Sequence, residues 1–97
     1  CLLTCDKILL LLLRGETEKI GSLASSGEMQ AFFKQMKGNI SVVRVQYAMA
    51  KLLDRDEKRA AELLELFEKC AKTHPYPVEI IGERRILAQI DAVSEGK

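Results

Sequence analysis

Apolar and polar positions alternate along this chain in a way that divides it into helical segments joined by short polar turns. The first predicted helix, 3–13, ends in an unbroken run of leucine at 9–13. Gly15 follows, the residue type that best tolerates the left-handed turn after a helix. A second helix is predicted from about Glu16, with Ile20, Leu23 and Ala24 at i, i+3 and i+4. The ASSG stretch at 24–27 breaks or kinks it. A short third helix, EMQAFFKQM, puts Met29, Phe32, Phe33 and Met36 on one side, and KGN at 37–39 closes it.

The segment 41–53 is almost wholly apolar. Val42, Val43, Val45, Met49, Leu52 and Leu53 cover more than half of its circumference, so neighbours are expected on two or more sides. The segment 56–73 has the clearest helical period. Asp56 is a good N-cap. Ala60, Leu63, Leu64, Phe67, Cys70 and Ala71 form one stripe, and Glu65–Lys69 and Glu68–Lys72 pair outside it at i, i+4. HPYP at 74–77 stops the helix, because proline cannot continue one and restricts the residue before it. A last helix is predicted over 78–93. The expected fold is all-α, about five helices in stacked antiparallel hairpins. It forms one domain over 1–97, with hairpin-like halves at about 1–37 and 40–93.

The two halves echo each other. A shift of about forty residues lays Leu12 and Leu13 on Leu52 and Leu53, Glu16 on Asp56 and Leu23 on Leu63. Each copy reads as an apolar helix, a tight polar turn and an amphipathic helix. A lone hairpin cannot bury its whole apolar face, so stacked hairpins share a core.

Composition sharpens this picture. Hydrophobic residues are 47% of the chain and charged residues 30%, enough for a core and a solvated surface. The net charge of +1 and the absence of tryptophan give no footprint for nucleic acid. The leucine run is far shorter than the roughly twenty apolar residues of a membrane span, so no direct membrane insertion is expected of this segment. The first residue is Cys1, not methionine, which suggests an excised piece of a longer protein. An N-terminal cysteine also suits a lipidated bacterial protein, but Leu2 and Leu3 leave no flexible spacer. Three cysteines do not make a disulfide framework, and reduced thiols in the cytoplasm are the simpler account.

The stretch YAMAKLLDRDEKRAAELLELFEKCAKTHP resembles the two-helix unit of tetratricopeptide-type repeats. It carries Tyr47, Ala48 and Ala50 in the first helix and an acidic turn. Ala60, Ala61, Phe67 and Ala71 follow in the second helix, with Pro75 at the exit. The spacing near forty departs from the family's roughly thirty-four, Lys51 lies where a small residue often packs, and the first hairpin shares little of the signature. The resemblance implies a helical-hairpin superhelix whose first helices line a concave groove. The stretch 42–89 also resembles the cytosolic C-terminal part of uncharacterised membrane-anchored proteins of Gram-positive bacteria, which implies no activity.

Arg44, Tyr47 and Lys51 recur at i, i+3 and i+7, a polar stripe on an apolar helix. By the resemblance, such a stripe would bind an acidic or C-terminal peptide; otherwise it faces water or pairs with a neighbouring helix. Glu79 and Glu83 are expected as ion-pair partners for Arg44 or Arg84, rather than acid–base catalysts, since no histidine, serine or glycine-rich loop is expected near them. Gln46 lies nearly opposite the stripe and is expected to make a structural hydrogen bond. Cys70–His74 and Cys1–Cys5 are i, i+4 pairs that would make a zinc site only if their helices met. Cys70 belongs to the core stripe, so no cofactor or metal is expected.

The pattern favours a non-enzymatic protein-interaction module, cytoplasmic or the soluble part of a membrane-anchored protein. Its partner would be an unidentified protein or peptide. The alternatives are a homo-oligomer formed through the Leu-rich first helix and a small Cys/His metal-binding domain.

Overall fold

The computed structural model describes residues 2–96, and α-helix is the regular structure they form, with no strand among them. The helices are α1 (Leu2–Leu13), α2 (Gly21–Ala24), α3 (Gly27–Gln35), α4 (Ile40–Leu52), α5 (Glu57–Thr73) and α6 (Pro77–Ser94), with a 3-10 turn at Thr17–Lys19. Their number exceeds the expected five because the stretch after α1 breaks into short pieces. The break at 25–26 is made by Ser26, whose side chain accepts a hydrogen bond from Met29 N at 3.1 Å and starts α3.

Other boundaries follow local chemistry. Gly15 takes φ 75° and closes α1, with Glu16 N donating back to Leu11 O at 2.9 Å. Asn39 caps α4 through Ser41 N and Val42 N, and Asp56 caps α5 through Arg59 N. Pro77 is the first residue of α6, where a missing N–H costs nothing. Arg55, at φ 54°, takes the left-handed conformation in the α4–α5 turn, and its guanidinium donates to Ser94 O at 3.4 Å.

The most apolar segment becomes the hub. α4 packs against α1, α5 and α6, and Val42, Val43, Val45 and Ala48 are fully buried. Lys51 meets Glu57 at one end of α4, and the Cys70 thiol donates to Gly38 O at the other, so α4 and α5 run antiparallel. α5 and α6 also run antiparallel, tied by a two-pronged pair in which Arg84 donates to Glu68 at 2.6 and 2.8 Å. Arg84 lies 5.5 Å from the ring centre of Phe67, itself fully buried. α4 and α6 are therefore parallel, their contacts advancing together from Arg44–Glu83 to Tyr47–Asp91 to Arg55–Ser94.

One apolar cluster links all the helices, with Ile8 and Leu12 of α1, Ile20, Phe33, Leu63, Phe67 and Ile90 among its members. Within the leucine run, Leu9 and Leu12 are buried and Leu11 and Leu13 half-buried; Leu10 faces out, beside Leu2 and Leu3. No described helix is long and apolar enough to cross a membrane.

Candidate functional site

The stripe Arg44, Tyr47 and Lys51 does share one face of α4, and that face is covered by α6, the start of α1 and the start of α5. Arg44 is only 7% exposed. It donates to Glu83 at 2.5 Å and to Asp6 at 2.8 Å, so one guanidinium ties α4 to both α6 and α1. Tyr47 donates to Asp91 at 2.6 Å. Burial first, then that hydrogen bond and the Asp91 charge, push its phenol pKa well above the ordinary value. Lys51 Nζ lies 3.3 Å from Glu57 and 3.8 Å from Asp91. Each residue of the stripe thus meets a carboxylate from another helix, and the stripe takes part in the packing between helices; Tyr47 and Lys51 also border a recess of about 190 Å³ beside Glu57 and Leu64.

The two glutamates separate. Glu83 is buried against Arg44 and also approaches Ser41 Oγ at 3.4 Å, whereas Glu79 is exposed and holds His74 Nε2 at 2.6 Å. Both border a cleft of about 630 Å³ at the start of α4, together with Arg44 and His74. Its charged groups answer each other, acid to base.

The cysteine–histidine pairs do not assemble. Cys5 is fully buried in the core, where burial first and Asp6 second raise its thiol pKa. Cys70 faces Gly38, and His74 is engaged by Glu79. Cys1 lies outside the described residues. Among the described residues no group of three or more His, Cys, Asp or Glu is placed to hold a metal ion.

A different concavity opens on the other side of α4. About 970 Å³ lie between α3, α4 and α5, bordered by Phe33, Leu66, Gln46, Lys34, Lys37 and Arg59. No carboxylate lines it. Lys34 and Lys37 have no ion-pair partner among the described residues, and Arg59 reaches only the solvent-facing Glu62, at 3.9 Å. Gln46 projects here, and its amide has no hydrogen-bond partner among the described residues, unlike the structural bond expected of it. A smaller recess of about 160 Å³ continues past Gln46 and Arg59 toward Asp54.

The sequence pattern did not single out these cations because they come from three places: the last turn of α3, the α3–α4 loop and the first turn of α5. The available signal was the isolated glutamine on the apolar helix. Compared with protein-family models, with curated proteins and with solved structures, the chain matches none.

Proposed function

We propose that this chain is a non-enzymatic protein-interaction module, built as tetratricopeptide-like stacked hairpins, in a cytoplasmic setting. The observation that carries the reading is the cleft between α3 and α5. It combines an apolar floor with polar groups that the fold itself does not use. Buried or half-buried polar groups are normally answered within a fold, and on the opposite side of α4 most are, Arg44 Nε being the exception among the described residues. Concave sites with an apolar floor and a few convergent polar groups are the usual form of binding sites. Unspent groups there favour a ligand over a purely structural role. The test is selection of binding peptides from a random library on the whole chain, followed by mapping of the contact on amide resonances. The reading expects shifts at Phe33, Gln46 and Leu66; a chain that selects no peptide contradicts it.

A second reading, self-association through α1, is favoured by a specific feature. Leu3 is 84% exposed and shares the outer face of α1 with Leu10. Sedimentation of the wild type against Leu3→Glu, Leu10→Glu decides it: a concentration-dependent dimer that the pair of substitutions abolishes is expected, and a monomer at high concentration contradicts it.

A further inference from the structure

The charge of the α3–α5 cleft defines the kind of segment that fits it. Its cations are Lys34, Lys37 and Arg59, and no acidic side chain borders it. On α3 the acidic residue is Glu28, which borders the recess with Thr4 and Ser22 instead. One ordinary explanation accounts for part of this. Lys34 stands in the last turn of α3, where a cation offsets the helix dipole. Arg59 has no such excuse. It lies in the first turn of α5, next to Lys58 and two residues after Glu57, at the end of a helix where a cation is disfavoured. Only Glu62, on the solvent side, approaches it.

We infer that the cleft takes an acidic peptide segment carrying an apolar side chain. This rests on the interaction-module reading above and adds the chemistry of the partner. The apolar side chain lodges against Phe33 and Leu66, which form the floor. Carboxylates beside it meet Lys34 and Lys37, with Arg59 at the far edge of the cleft. The free amide of Gln46, which offers both a donor and an acceptor, bonds the peptide backbone as it crosses α4. Asp54 stands at the end of the adjoining recess and repels acid there, so the acidic portion lies at the Lys34–Lys37 end. Complementary charge of this kind governs which partner is accepted and how fast it docks more than it adds raw affinity.

The experiment uses the whole chain and the peptides selected from the random library, synthesised with a fluorescent label and titrated by anisotropy. The inference expects the selected peptides to carry Asp or Glu next to a large apolar residue. It also expects affinity to fall as salt rises, and Lys34→Glu, Lys37→Glu to weaken binding by at least about tenfold. Lys34→Gln, Lys37→Gln, which keeps the length and removes the charge, should fall between, with its melting little changed; the Glu pair should melt only slightly lower, because it loses the dipole contact of Lys34. Selected peptides without acidic bias, or binding that ignores both variants, overturn the inference and leave the interaction module standing. A single-stranded RNA oligonucleotide bound in place of any peptide overturns both.

Discussion

The two sides of α4 carry similar residue types and use them differently. On one side, Arg44, Tyr47 and Lys51 meet Asp6, Glu83, Asp91 and Glu57, so every cation and hydroxyl there has an acceptor supplied by another helix. On the other side, Gln46 faces a cleft with cations from α3 and α5 and no carboxylate. A polar residue on an apolar helix is therefore not a binding residue by virtue of its type. What separates the two sides is whether the fold completes its partners. The first side fixes where α1 and α6 sit on α4, although Arg44 Nε stays without a hydrogen-bond partner among the described residues; the second leaves its polar groups facing the cleft.

The comparison breaks most visibly if the first side is damaged. Arg44→Ala should destabilise the fold by about 3–5 kcal/mol, because it leaves the buried Glu83 carboxylate without its cation. Chemical denaturation reads this directly, and a loss under about 1 kcal/mol would mean that the pair behaves as a surface one.

A smaller effect is expected one turn along. Tyr47→Phe should cost about 1 kcal/mol, the net worth of an ordinary hydrogen bond, since Asp91 keeps Lys51 nearby. It should also flatten the alkaline limb of stability. The native phenol ionises only well above the value of the unfolded chain, about 10, because of burial and Asp91. The stability this contributes is full below that pH and is lost as pH rises beyond it. Phenylalanine cannot titrate, so the melting temperature of the variant should fall less steeply there, with Cys5 still contributing.

The α5–α6 tie is exposed and should matter less. Its hydrogen bond to Arg84 holds Glu68 below the usual carboxylate range. The associated stability is present above the unfolded value of about 4.3 and disappears as pH falls through the lowered native one. Solvent screening keeps it below about 1 kcal/mol. Glu68→Gln should therefore change neutral-pH stability slightly and make the acid loss shallower.

The smallest effect on stability belongs to the second side. Lys34→Gln and Lys37→Gln together should stay within about 0.5 kcal/mol of the wild type. A larger loss would show that these lysines have structural work after all.

Much of the helical pattern was legible because it is local. Gly15, Asp56 and the proline-rich turn at 74–77 act on their immediate neighbours, and each marks a helix boundary in the structure. Most of the stripe of α5 was legible for the same reason: Ala60, Leu63 and Phe67 point to one core, whereas Leu64, expected with them, is exposed. The region after α1 was harder. Its apolar spacing suits a helix, but it forms a 3-10 turn and the short α2 instead, neither with a side-chain cap at its start. Ion pairs across the chain were partly legible. Glu83 could be offered as a partner for Arg44 from its place on the last helix. Asp6 and Asp91 could not, because their roles depend on how α1 and α6 lie along α4. The cleft was least legible, since its cations come from the end of α3, the loop after it and the start of α5.

The most direct test of the account is a double-mutant cycle on Arg44 and Glu83, using Arg44→Met, Glu83→Leu and the two together, followed by chemical denaturation. If the stripe is internal packing, each single change should cost about 3–5 kcal/mol, and the double should lose far less than their sum, because two well-packed apolar side chains replace a buried pair. Asp6, largely exposed, rehydrates in either case. Single changes that cost under about 1 kcal/mol and simply add would contradict the account and return Arg44 to the list of residues free to meet a partner.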